Sequence, residues 1–234
     1  MPGIAEPDKE ENKPKKMVIV LQDVSGTAEN RHQCRVFGII FVFKKVEFVM
    51  QKTRMKIGAL YQKSGECQFV VWAPFLNKVE IKIIDPEERL IPMKKDVRGY
   101  WKVRTGTVSP GSRYIYRLDG EKERPDPASA FQPEGVHRCS QVIDHTAFNW
   151  KKRNWKGIPL AEMIIYELHV GTFTPQGTFD GVAEKLEGLA DLGINAINIM
   201  PVSQFPGSRN WGYDGVHPFA VQNSYGGPDG FKRL

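Results

Sequence analysis

Chemistry-bearing side chains are concentrated near the C-terminal end of this 234-residue sequence. Asn210-Trp211-Gly212-Tyr213-Asp214-Gly215 sets two aromatics and one acid between glycines. Such a string suits a tight loop that offers flat apolar faces with a polar edge. Upstream, Glu167 and His169 alternate within Ile164–Val170, a carboxylate and an imidazole with the means for proton transfer. Nothing in the spacing makes Glu167 and Asp214 a working pair, and His169 beside Glu167 on a polar strand face reads as a hydrogen-bonded structural group. Gly226-Gly227-Pro228 lacks the following Lys-Ser/Thr that a phosphate cradle needs, so it reads as a turn before a helix beginning at Asp229. Cys34, Cys67 and Cys139 stand far apart, in no metal-ligand spacing. No catalytic residue and no metal ligand is assigned within the chain.

The elements that must carry these residues come in two styles. From Met55 to about Asp144, CQFVVWAP, KVEIKIID, RLIPMKK, YWKVRTG and RYIYRLDG form short alternating or β-branched runs, with turn signals between them. They predict a small β-sandwich over 55–145. Trp72 and Trp101 fall within the strand patterns and are expected in its core. Glu123–Ser140, with three prolines, predicts an extended connector, and 146–162 a linker. From Met163 the period changes. Ile164–Val170 predicts a strand; Phe179, Val182, Ala183, Leu186, Leu189 and Ala190 form a helical stripe stopped by Gly193; Ile194–Met200 predicts a second strand. Strand, helix, strand is a βαβ unit with parallel pairing.

Composition narrows the classes. Hydrophobic content of 41% and charged content of 26% describe a globular chain. The longest apolar run, Val36 to Phe43, is far short of the roughly 20 residues of a spanning helix. No signal peptide is expected from the charged, proline-bearing start, and free thiols fit a reducing cytoplasm. The net charge is +6, half of it in residues 1–54, and no dense basic stripe accompanies it, so neither nucleic acid nor membrane is expected as a partner. Residues 1–54 are expected as an extension whose Lys/Glu/Pro-rich tail does not order itself.

The run from MIIYELHVG through NWGYDGVHPFAVQNSYGGPDGFKRL resembles the opening of a glycoside hydrolase family 13 barrel, and the connector RPDPASAFQPEGVH resembles its trehalose-releasing branch. The preceding part is similar to the immunoglobulin-like module, related to family-48 carbohydrate-binding modules, found ahead of such barrels. The resemblance covers Met55 to Leu234 and leaves 1–54 unmatched. It implies an all-β immunoglobulin-like sandwich followed by the first βαβ elements of an incomplete (β/α)8 TIM barrel at 163–234. It also implies an α-1,4-glucan or malto-oligosyltrehalose as substrate, no cofactor, and a catalytic Asp/Glu/Asp set lying beyond Leu234. Tyr213 is then the expected sugar-stacking residue, with Trp211 and Asp214 as further substrate contacts. A glucan-binding module without catalysis, and part of a branching enzyme, are the competing expectations. Arg138-Cys139 and the basic Lys151-Lys152-Arg153 depart from the family pattern. The unmatched extension, a start available at Met55 and an unfinished helix at Phe231–Leu234 predict a misplaced start and an early end, leaving an open sheet edge.

Overall fold

The computed structural model describes residues 18–21, 56–150 and 156–234. The first described element is a strand, β1 (Val18–Leu21). The sandwich follows, with β2 (Gly58–Tyr61), β3 (Cys67–Trp72), β4 (Val79–Ile83), β5 (Arg89–Pro92), β6 (Lys94–Lys95), β7 (Tyr100–Thr105), β8 (Arg113–Leu118), β9 (Lys122–Arg124) and β10 (Ser140–Gln141). One sheet has the order β10-β8-β4-β5, with β9 on β8; the other runs β2-β3-β7-β6. Every pairing in the two sheets is antiparallel.

The run RLIPMKK, expected as one strand, serves both sheets. It breaks at Met93, a buried residue whose N–H donates to the Val79 carbonyl at 3.0 Å, so β5 pairs with β4 and β6 with β7. Between the sheets Cys67, Phe69, Val71, Val79, Ile81, Ile83, Trp101, Tyr114 and Tyr116 form the core. Phe69 meets Tyr114 edge to face at 4.9 Å between centroids. Burial pushes the Cys67 thiol up to about 12.

Trp72 is not in that core. The two-residue period of β3 points Cys67, Phe69 and Val71 inward and leaves Trp72 on the opposite face with Gln68. Trp72 is 59% exposed, and its indole N–H donates to the Arg98 carbonyl at 3.1 Å. Trp101, opposite Val71, is buried as expected. The connector likewise contains more than extended chain, since β9 and β10 form at its two ends.

After a 3-10 turn at Leu160–Glu162 come β11 (Ile165–Leu168), α1 (Val170–Phe173), α2 (Phe179–Ala183), α3 (Leu186–Asp191) and β12 (Ala196–Ile199). Parallel pairing of β11 with β12 confirms the βαβ unit. The first strand is shorter than its sequence pattern. At Val170 the chain turns into α1, with the N–H groups of Thr172 and Phe173 both donating to the His169 carbonyl. The expected single helix breaks at Glu184-Lys185 into α2 and α3. Thr178 caps α2, its hydroxyl accepting from the Gly181 N–H at 3.2 Å. The apolar stripe survives the break: Phe179 and Val182 are buried against Leu168, Ile197 and Ile199, with Leu186 and Leu189 packed beside them. Gly193 stops α3 in the left-handed region at φ +99°.

Two departures concern the ends of this sheet. β1 pairs in parallel with the outer edge of β12, giving the order β1-β12-β11, so the edge expected to be open there is occupied. Residues 1–17 and 22–55, with the whole of the expected Lys/Glu/Pro-rich tail and Cys34, lie outside the described residues, as do 151–155 within the expected linker. Downstream, β13 (Ser203–Gln204) and β14 (His217–Val221) form a small antiparallel ladder. α4 (Gly227–Arg233) begins two residues earlier than Asp229, after a left-handed Gly226 at φ +113°.

Two stability outcomes follow from the sandwich. Phe69→Ala removes a fully buried ring and should cost about 3–5 kcal/mol in chemical denaturation. The second concerns Asp96, whose carboxylate accepts from the Lys102 ammonium at 2.8 Å and from the N–H groups of Arg98 and Tyr100. The Lys102 hydrogen bond, reinforced by those amides, holds its pKa down to about 2. A depressed carboxylate contributes stability that is complete above the ordinary value of about 3.9 and is lost as pH falls through the folded value. Melting of wild type against Asp96→Asn should therefore show a gap at pH 6 that closes between pH 4 and 2.

Candidate functional site

The C-terminal ends of β11 and β12 lie side by side, since Leu168 is in register with Ile199. Each strand therefore delivers its next residue, His169 and Met200, to the same rim. Gly212 is laid over that rim: a Cβ built on it would stand 3.2 Å from Met200 Cε and 3.5 Å from His169 Cδ2. At φ +97° it also takes a backbone conformation natural to glycine. Asn210 fixes the approach, its side-chain oxygen accepting from the Gly212 N–H. A Cβ at Gly215 would meet Ser203 Cβ at 2.7 Å, so that glycine is needed for close approach, and Gly212 for its backbone conformation.

Under this loop is a cleft of about 640 Å³, lined by His169, Gly171, Thr172, Ser208, Arg209, Asn210, Trp211 and Asp214. The volume lies in the range of small-molecule sites, and the lining mixes one large aromatic wall with acid, base and amide groups. Of the three residues expected to touch substrate, the cleft gathers Trp211 and Asp214. Tyr213 is 61% exposed on the same loop, outside the lining. Trp211 is 87% exposed, a flat face left open to solvent.

His169 stands at the strand's exit rather than inside it. Its Nδ1 lies 3.4 Å from the Thr172 hydroxyl and its Nε2 3.4 Å from the Tyr225 hydroxyl. Both ring nitrogens thus have polar neighbours, in keeping with the structural reading, while the ring also forms part of the cleft wall. Tyr225 backs His169: it is buried, stands edge to face against His169, Phe179 and Phe205, and its phenol is pushed up to about 12 by burial. Gly171 allows this, because a Cβ there would lie 3.0 Å from the Tyr225 ring.

Sequence reasoning missed Tyr225, Asn210, Arg209, Ser208 and Thr172. An aromatic directly before Gly226-Gly227 is the one signal that the sequence offers for Tyr225. Glu167 is held by Asn198, whose side-chain amide donates to its carboxylate at 2.6 Å. Among the described residues no group of three or more His, Cys, Asp and Glu is arranged to hold a metal ion. No helix among them is long and apolar enough to cross a membrane.

The connector joins the sandwich to this site. Asp126, fully buried, accepts from the Tyr114 hydroxyl at 2.7 Å and the Ala128 N–H at 2.8 Å, and its own N–H donates to the Ser140 hydroxyl. Burial pushes its carboxyl upward, an effect opposed by those hydroxyl and amide donors. Further along, the Pro133 carbonyl accepts from the Asn223 amide at 2.9 Å, and the Val136 carbonyl lies 3.0 Å from His217 Nε2.

Comparison with known proteins agrees with this layout. Residues 56–131 match carbohydrate-binding module 48 (isoamylase N-terminal domain), and residues 140–234 match the alpha amylase catalytic domain. The malto-oligosyltrehalose trehalohydrolase of Saccharolobus solfataricus is 49% identical over 166 residues, covering 71% of this chain and 29% of that protein. That of a Rhizobium species is 47% identical over 176 residues, covering 73% and 29%. A 1.4 Å crystal structure from Salmonella typhimurium, described as an alpha amylase, superposes with a TM-score of 0.71 at 38% identity, covering 76% of this chain and 30% of that one. The chain spans under a third of the length of these relatives. In sequence and in domain order the chain is thus similar to the N-terminal portion of the malto-oligosyltrehalose trehalohydrolases, a module-48 sandwich joined by its connector to the first strands of an alpha amylase catalytic domain.

Proposed function

We propose that this chain forms the substrate-docking front of a trehalose-releasing hydrolase. In the whole enzyme, the α-1,4 bond next to the terminal trehalose of malto-oligosyltrehalose would be cleaved, with a shortened malto-oligosaccharide as the second product. The observation that carries the reading is the cleft under the Gly212 loop, opening at the C-terminal ends of β11 and β12. This is the face at which barrel enzymes bind substrate. Trp211 offers a flat wall suited to the C–H face of a pyranose, and Asp214 offers hydroxyl acceptors beside it. Tyr213 extends the same surface toward solvent as a second stacking face. The free thiols Cys67 and Cys139 suit a reducing cytoplasm as the place of action.

Hydrolysis with retention needs two carboxyl groups roughly 5–5.5 Å apart, one as nucleophile and one as acid/base. Glu167 is committed to Asn198 on the sheet, and Asp214 stands in the loop beyond the strands, so these two acids are not expected to form that pair. The polypeptide of these 234 residues is therefore expected to bind malto-oligosaccharide without cutting it.

Two measurements test this. Purified chain incubated with malto-oligosyltrehalose should release no trehalose above a buffer blank; turnover above the blank refutes the assignment of a non-cutting front. In calorimetric titration with maltoheptaose, Trp211→Ala should weaken binding roughly fivefold, as loss of about 1 kcal/mol of aromatic contact gives. Tyr213→Ala should act in the same direction with a smaller change. Unaltered affinity in both variants, with wild type binding, would move the sugar to the sandwich and favour a binding module that acts without the cleft.

A further inference from the structure

The N-terminal extension has a place in the fold that neither family match accounts for. Both matches begin at residue 56 or later, yet Val18–Leu21 lies in parallel register on β12, Val18 opposite Ala196 and Leu21 opposite Ile199. β11 lies on the other side of β12 in the same polarity, with Ile165 opposite Ala196 and Leu168 opposite Ile199. In a right-handed succession of βαβ units each new strand adds beyond the last, so the strand after β12 belongs on the edge that β1 holds. The polarity is the one such a strand would have. The sequence Val-Ile-Val-Leu also has the uniformly apolar, mostly β-branched character of a buried parallel strand. Thirty-six residues (22–57) separate β1 from β2, ample chain to carry an early strand across to a late one.

We propose that Val18–Leu21 is a stand-in strand: it occupies in cis the β12 edge that the next parallel strand of the barrel would take, and the two occupants exclude each other. The edge is thus a strand-accepting surface of parallel polarity whose partner here is the chain's own extension. Four residues of unpaired backbone on β12 would otherwise invite pairing between copies. The assignment is independent of sugar binding and of the reading of the cleft.

Paired cysteines test the register in the full chain. Parallel neighbours stand about 4.8 Å apart, within the span a disulfide bridges. In a background carrying Cys34→Ser and Cys139→Ser, with buried Cys67 retained, Val20→Cys combined with Asn198→Cys should oxidise to an intramolecular disulfide. Val20→Cys with Glu167→Cys, one strand further away, should give at least fivefold less. Equal yields from the two pairs, or links chiefly between molecules, overturn the proposal. Hydrogen exchange provides the second readout. Ile19→Pro should speed exchange of the 195–200 segment at least fivefold and leave 67–72 and 100–105 unchanged, and it should drive the chain toward oligomers in size-exclusion chromatography. Unchanged exchange at 195–200 in that variant overturns the proposal equally.

Discussion

Four parallel residue pairs between β11 and β12 set everything the site depends on. The pairing starts under control: the Asn195 side chain accepts from the Ile164 N–H at 2.8 Å and donates to the Glu162 carbonyl at 2.8 Å, fixing where the two strands meet. A one-residue slip would exchange the faces of a whole strand, so this anchor is also a face selector. From there the ladder runs to Leu168 and Ile199, and the chain on each side leaves the sheet at one level. His169 and Met200 then form a step against which Gly212 is laid closely, in a left-handed backbone conformation that favours glycine. The cleft follows from that contact. Its aromatic wall, Trp211, is the residue immediately before the glycine that is held down.

The sandwich is tied to this barrel start by a polar interior rather than an apolar one. Asp126 is a fully buried acid in the connector, and burial alone would keep it neutral. Tyr114 and Ala128 supply donors that oppose that effect, and Ser140 accepts from the Asp126 N–H while donating to Gln132 at 2.6 Å. Gln132 reaches on to the Arg138 carbonyl at 3.2 Å. Every link is directional, so the connector has one low-energy path between the sheets and the barrel. Its later half then meets the barrel through Pro133 and Val136, and Phe131 packs where a side chain on Gly227 would have to go. The same connector is thus bonded to the sandwich at Tyr114 and to the barrel start at Asn223 and His217.

Much of this was legible in the residues. Five β-branched and aromatic runs became strands, the change of period at Met163 became a βαβ unit, and the NWGYDG string became the loop of the cleft. What escaped prediction did so for identifiable reasons. Trp72 has the composition of a core residue, and only the phase of β3 relative to β7 places it outside. Val170 continues the strand's alternation in sequence, but two amides closing on the His169 carbonyl end the strand at Leu168, two residues earlier. Tyr225 is separated from His169 by 56 positions, and no local pattern announces that its hydroxyl will meet the imidazole. Of the cleft's lining, His169, Trp211 and Asp214 were legible as residues that could do chemistry, while Thr172, Ser208 and Arg209 join it only through the folding of α1 and of the loop.

The two faces of the short parallel sheet show how its incompleteness is tolerated. On the helix side, Leu168, Ile197 and Ile199 are covered by Phe179, Val182 and Tyr225, which is where burial supplies its stability. On the opposite side, which faces the axis in a closed barrel, Glu167 and Asn198 hydrogen-bond to each other while Ile165 remains 49% exposed. A carboxylate and an amide satisfying one another across neighbouring strands tolerate water, and they leave a polar lining for whatever later completes the interior. The edges divide in the same way. β12 has a neighbour on each side, whereas among the described residues β11 pairs with β12 alone, and Ile164 just before it and Tyr166 within it are exposed. The sheet is thus sealed on its helical face and on one edge, and open on its axial face and the other edge. Those two open sides are the ones that further barrel strands would have to cover.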